Sequence, residues 1–352
     1  MIKINETPRR TSRNFLINNI KLENFEVPNY IKEFENIEIV NDNSKIQIEK
    51  EVNNEKLRYG LGDGLTNQVL NYANVKFKLT IEGKTNKETI FNFNLDEENS
   101  ELVENIEIIA NENTKSTLIF NLLSEGQEKY FHNGIIKILA KENSELNIII
   151  TNLLNSKSYN FIAIENELKE NSKVKYTIID FGGKASITNY YSNQIGNNAN
   201  NILHTIYIGN ETQIFDLNYI AELTGNKTNI EIDVQGALKD NAKKHFKGTI
   251  DFKKGAKKAT GSENENCILL SDTAKSIALP MLLCSEEDVE GAHSCSAGKV
   301  NPKELFYIQT RGFDEKSAMK LLVRAKFNKI LEDIKNEKLK QLIINEIDKR
   351  LD

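Results

Sequence analysis

The chain has 352 residues, with 46 lysines and arginines against 51 aspartates and glutamates for a formal charge of −5, enough length for a sizeable core and no electrostatic support for nucleic-acid binding. No stretch reaches the roughly 20 uncharged apolar residues that span a bilayer, and the polar run from Met1 to Arg13 does not read as a secretion signal, so a cytoplasmic protein with no membrane contact is expected. Three cysteines, Cys267, Cys284 and Cys295, exclude a disulfide scaffold and fit a reducing compartment.

Residues 1–70 carry Asn18-Asn19, Pro28-Asn29 and the glycines Gly60, Gly62 and Gly64, which predicts an irregular lead-in of loops and short helices. From 71 to 301 short runs of Ile, Val, Leu, Phe and Tyr recur between Asn, Gly, Ser and Glu clusters, the signature of strands and turns. Val75 to Ile81, Leu146 to Thr151, Val174 to Phe181, Ile202 to Ile208 and Ile230 to Val234 are examples. Asn113, Asn143, Asn171, Asn198 and Asn226 follow one another at spacings of 30, 28, 27 and 28, each opening a polar turn before a strand-like run. With 47 asparagines in the chain, spacing alone is weak evidence. The absence of proline from Asn29 to Leu279 strengthens it, because stacked strands need their N–H groups. A mainly β chain with a parallel β-helix core follows, of about eight coils and about 40 Å of stack at the usual strand spacing.

The pattern changes over 302–352. Pro302 opens a short helix that Arg311-Gly312 closes, and Asp314 caps a second with Ala318, Leu321, Leu322, Ala325, Ile330, Leu331 and Ile334 on its apolar face. A break near Phe327 is expected. Leu339, Leu342, Ile343, Ile347 and Leu351 mark a last amphipathic helix, completing a small helical module.

Gly83-Lys84-Thr85 resembles the end of a phosphate loop, but position 78, where a glycine is required, is lysine. The chain alone is therefore not expected to hydrolyse ATP. Gly60-Leu61-Gly62-Asp63-Gly64 lacks the dinucleotide-binding spacing and reads as a flexible turn. Of the histidines at 132, 204, 245 and 293, none makes a recognisable Ser-His-Asp or Cys-His set, and His132 and His204 are expected to be structural or at the surface. Glu286, Glu287, Asp288 and Glu290 read as a solvated run. On a strand, His293 and Cys295 share one face and offer an imidazole and a thiol to iron or zinc. Two ligands leave the shell incomplete, so a partner or external groups would have to finish it. A buried thiol beside a hydrogen-bonded histidine fits the same residues.

His245-Phe246-Lys247-Gly248, Ala259, Asn266, Leu269-Leu270-Ser271, Pro280, Glu287-Asp288-Val289, His293, Gly298, Leu305-Phe306-Tyr307 and Arg311-Gly312 together resemble the SufB/SufD family of iron–sulfur cluster assembly proteins. The likeness is densest over 245–327. Ala292 and Ser294 stand where SufB has glutamates, so the pattern is nearer SufD, although Gly291 replaces a cysteine frequent there. The SufB cysteine position falls on Asn266, one residue before Cys267, and its role is not carried over.

The resemblance implies a right-handed parallel β-helix, a complex with the ATPase SufC docked on the helical module, and pairing with the SufB paralogue, or with a second copy when alone. It places Phe306, Tyr307, Arg311 and Gly312 at the SufC contact and His293, with Cys295 as our addition, near iron or a transient cluster at the subunit interface. A non-enzymatic scaffold with no tightly bound cofactor in the isolated chain is expected. A purely structural platform is the alternative, and a carbohydrate-active or adhesive β-helix a more distant one.

Overall fold

The computed structural model describes residues 2–8, 18–22, 25–41, 43–53 and 55–352. Four short strands, β1 (Ile2–Ile4), β2 (Ile20–Leu22), β3 (Ile37–Val40) and β4 (Ile46–Glu49), precede helix α1 (Asp63–Tyr72). The lead-in therefore contains more strand than its sequence suggests. The glycine cluster, expected to be a flexible turn, is the start of α1: Gly62 is its N-cap at φ 114°, a conformation glycine adopts without steric cost.

Two parallel sheets then form a solenoid. The second sheet runs β5 (Val75–Ile81), β7 (Glu101–Ala110), β9 (Phe131–Ala140), β11 (Tyr159–Leu168), β13 (Ala185–Gln194), β15 (Ile214–Leu223), β17 (Lys243–Phe252) and β19 (Lys275–Cys284). The first runs β6 (Lys84–Leu95), β8 (Lys115–Ser124), β10 (Glu145–Asn152), β12 (Lys173–Asp180), β14 (Asn200–Gly209), β16 (Asn229–Leu238), β18 (Ala259–Leu269) and β20 (Val289–Lys299). Each coil contributes one strand to each sheet, giving about eight turns. Alternation builds the core: in β5, Val75, Phe77, Leu79 and Ile81 are buried while the residues between them are half-exposed.

The asparagine repeat is a corner of the coil. Asn113, Asn143, Asn171 and Asn198 all adopt φ between 54° and 61°, the left-handed region that asparagine tolerates better than most residues. Their N–H groups donate to the next coil, Asn113 to Glu142 O at 3.0 Å and Asn198 to Asn226 O at 2.8 Å. Side chains add a ladder from Asn198 to Asn171 and from Asn171 to Asn143, each step 3.1 Å. In the next coil the left-handed residue is Lys227, so Asn226 sits one place before the corner.

Both outer faces are covered. Leu61, Leu65 and Val69 of the α1 segment, with Phe25, pack on Val103, Phe131, Ile135 and Phe161 of the second sheet. Helices α3 (Glu315–Leu331) and α4 (Glu337–Leu351) lay Val323, Phe327, Ile330, Ile343 and Ile347 on Ile149, Ile179, Ile206 and Ile208 of the first. Asp314 caps α3 by accepting from Ser317 N, as its position predicts. Phe327 is buried within a continuous helix, and the interruption falls at 332–336 instead.

The two ends of the stack differ. At the amino end the four-residue strands β3 and β4 pair antiparallel with β6 and β5. At the carboxyl end the edges are β19 and β20, ten and eleven residues long. Pro280 lies on β19, where an edge strand tolerates its missing N–H. Helix α2 (Pro302–Gln309) leaves from β20 and buries none of its side chains. None of the described helices is long and apolar enough to cross a membrane.

Candidate functional site at the open end of the solenoid

The register of β20 on β18 places His293 beside Glu263 and Cys295 beside Glu265. Paired residues in a sheet point to the same face. Along β18, Gly261, Glu263, Glu265 and Cys267 are buried and face the lumen, while Ser262, Asn264 and Asn266 point away from it. His293 and Cys295 therefore share the lumenal side of the last strand, as their spacing predicts. His293 is exposed at the rim and has no hydrogen-bond partner among the described residues, whereas Cys295 is half-buried against the core. The packed, hydrogen-bonded histidine of the alternative reading is not what the structure has at 293. Outward-facing Ser294 donates to Asn264 Oδ1 at 2.6 Å and helps to hold β20 in register.

Beneath this pair lies a buried polar group that sequence reasoning missed. Lys244 Nζ is 2.8 Å from Glu265 Oε1, and both side chains are almost wholly buried. Tyr207 donates its hydroxyl to the same carboxylate oxygen at 3.1 Å. Glu263 is 2 % exposed, and neither of its oxygens has a hydrogen-bond partner among the described residues; Glu265 Oε2 has none either. Burial, reinforced by Glu265, pushes the Glu263 carboxyl up to about 8. Burial, then Glu263 and Glu265, pushes the Cys295 thiol up to about 12. The signal available in the sequence was the period-2 run Glu263-Asn264-Glu265-Asn266-Cys267, which puts both carboxylates and a thiol on one face of a strand. Its polarity reads as a turn.

The remaining expected residues are dispersed. Cys284 is exposed at the end of β19, and Cys267 is buried one pair deeper than Cys295. His132 is buried, with Nδ1 2.5 Å from Asn160 Oδ1 and Nε2 3.3 Å from Glu104. His245 Nδ1 lies 3.6 Å from Asp216 Oδ2. His204 forms a cluster with Glu231 and Asp233 of the kind that binds metals, but Lys329 Nζ already bridges the two carboxylates at 3.3 and 2.9 Å. Lys84 opens strand β6, so Gly83-Lys84-Thr85 lacks the helix start a phosphate loop requires. Glu286 accepts from Gly255 N in an exposed turn, and Glu287 and Asp288 flank it as surface groups.

A parallel β-solenoid, with a helical module on one face and a bare terminal coil presenting an imidazole and a thiol, defines the structural class. The family model described as "SUF system FeS cluster assembly, SufBD core domain" matches residues 93–326. The iron–sulfur cluster assembly protein SufD of Bacillus subtilis is 22% identical over 71% of this chain and 58% of its own length. SufD of Escherichia coli is 22% identical over 68% of this chain and 57% of its own. A SufBD family protein of Pyrococcus horikoshii is 26% identical over 56% of this chain and 51% of its own. The chain thus spans between half and three fifths of the length of these relatives. It belongs to the SufBD family of iron–sulfur cluster assembly proteins and stands close to SufD.

Proposed function

We propose that the chain is a SufD-like scaffold subunit, without enzymatic activity of its own, that pairs with a SufB paralogue and binds the ATPase SufC in the cytoplasm. The observation that carries the reading is the bare terminal coil. Long unpaired edge strands invite another chain to continue the sheet, and soluble proteins normally blunt or cover them. On β20 the side chains around His293 are small, Gly291, Ala292, Ser294, Ser296, Ala297 and Gly298, which lets a second backbone approach closely. His293 is exposed there and free to share a ligand with a partner.

In this reading His293, aided by Cys295, contributes to iron or a transient cluster completed by SufB, and α2 offers Phe306, Tyr307 and the Arg311-Gly312 turn to SufC. Anaerobic co-expression with SufB and SufC tests it. A ternary complex is expected, with His293→Ala lowering its iron and sulfide content at unchanged subunit ratio. Wild-type iron and sulfide in the variant complex would reduce the chain to a platform without a ligand role, and failure to join the complex would overturn the scaffold itself.

A further inference from the structure

On the outward face of the first sheet, β14 and β16 bring three metal-donor side chains together beneath the helical module. Register pairs His204 with Asp233, and Glu231 precedes Asp233 by two residues on the same face. One donor atom from each lies within 4.8 Å of the others. His204 Nε2 is 3.4 Å from Glu231 Oε1, which is about the separation of two ligands in a tetrahedral site with bonds of about 2.0–2.1 Å. Two of the donors are aimed from behind. Asp333 Oδ2 lies 2.5 Å from His204 Nδ1, so the neutral imidazole donates there and presents its lone pair at Nε2. Asp233 Oδ1 accepts from Gln235 Nε2 at 2.5 Å and from Asn264 Nδ2 at 3.4 Å, which leaves Oδ2 turned to the site. Outer hydrogen bonds of this kind orient metal ligands. A cation also stands there: Lys329 Nζ of α3 is 3.3 Å from Glu231 Oε1 and 2.9 Å from Asp233 Oδ2, at the end of a side chain that is 64% exposed. Exposed ion pairs are weak, so this ammonium can return to water at little cost.

We propose that His204 Nε2, Glu231 Oε1 and Asp233 Oδ2 bind one divalent ion of the Zn(II) class, with water in the fourth position, and that Lys329 is the cation it displaces. One imidazole and two carboxylates suit such an ion. Uptake puts two positive charges in place of one: the Lys329 ammonium swings to solvent with its proton, and any proton on His204 Nε2 passes to water as the nitrogen–metal bond forms. The donors belong to the sheet, whereas Lys329 and Asp333 belong to the helical module, so the ion sits in the seam between the two. His293 lies on the lumenal side of β20 and takes no part, and the site stands or falls independently of the proposed function.

Anaerobic titration of the full chain with Co(II), the spectroscopic stand-in for Zn(II), tests the proposal. One bound ion is expected, with paramagnetic shifts of the His204 ring and no thiolate-to-cobalt absorption, which distinguishes this site from the cysteines. Glu231→Gln should weaken binding by about tenfold or more. Lys329→Ala removes the competing ammonium and should tighten binding by about threefold or more. The two side chains are 39% and 64% exposed, and circular dichroism of the metal-free variants checks that they fold. Lys329→Ala carries the test alone should Glu231→Gln not fold. No bound ion, an ion held by thiolate, equal affinity in folded Glu231→Gln or affinity not raised in Lys329→Ala would each overturn the proposal and leave these groups as an ion-pair cluster that fastens α3.

Discussion

Gly248 and Glu263 occupy one space: the side chain that position 248 lacks is replaced by the carboxylate that β18 sends across the lumen. Gly248→Ala should therefore cost stability, about 1–3 kcal/mol, because a methyl group is forced against a buried side chain. In a Glu263→Ala background the same substitution should cost little, since the methyl then enters vacated space. A double-mutant cycle by chemical denaturation measures the coupling. Additive effects would mean that the two residues do not share that space.

Buried Asp180 gives a pH signature. Its carboxylate accepts from Ser186 Oγ at 2.8 Å and Asn152 Nδ2 at 2.8 Å, and Arg350 lies near, but burial prevails and raises it from 3.8 to about 6. The folded state then holds a proton that the unfolded chain has released between about pH 4 and 6. Stability falls as pH rises through that window and levels off above it, by at most about 3 kcal/mol from this group. Asp180→Asn cannot titrate, so its unfolding free energy relative to wild type should rise by that amount across the window. A difference independent of pH would refute the assignment.

The asparagine corner was legible because its cause is local. Four left-handed positions in a row chose asparagine, the length of chain in one coil fixed their spacing, and the Lys227 and Lys258 corners escaped the pattern. Strands such as β5 were legible from alternation. Glu263 and Glu265 were not, since inward-facing charge breaks the rule that makes a strand recognisable. Short helices were expected in the lead-in, but the start of α1 at the glycine cluster was not, because Gly62 caps it without a side-chain hydrogen bond and leaves no N-cap signal to read. The placement of His293 and Cys295 on one face followed from the strand period, but the carboxylates beneath them depend on the register of β18 with β20, which no local pattern encodes.

The helical module is pinned at Asp333. His204 Nδ1 lies 2.5 Å from Asp333 Oδ2, and Lys175 Nζ donates to Oδ1 at 2.5 Å. Burial opposes ionisation, but the hydrogen bonds from His204 and Lys175 outweigh it and hold Asp333 below the ordinary carboxylate range. Its contribution is present above about pH 4 and lost as acid protonates it. Asp333→Ala should destabilise the protein by about 2–4 kcal/mol at neutral pH by leaving His204 and Lys175 without their partner. Faster proteolysis between 332 and 336 should accompany it. Unchanged stability and cleavage would show that the module is held without the Asp333 contacts.

If α2 is the SufC contact, as proposed, partner binding and folding can be tested separately there. Phe306 is 67% exposed and Tyr307 58%, and Arg311 both lies 5.0 Å from the Tyr307 ring centre and donates to its hydroxyl at 2.6 Å. An exposed aromatic pair with an arginine has the composition of an interface anchor. Removing 302–352 entirely would be a poor test, because α3 and α4 cover Ile149, Ile179, Ile206 and Ile208, and their loss would expose that apolar stripe. Phe306→Ala with Tyr307→Ala removes only side chains that α2 does not bury. The double variant should unfold at the wild-type temperature yet bind SufC at least about tenfold more weakly, the loss expected when anchor residues are truncated. Calorimetric titration with SufC, alongside thermal unfolding, reads both quantities. Full SufC affinity in the folded variant would overturn the proposed contact at α2.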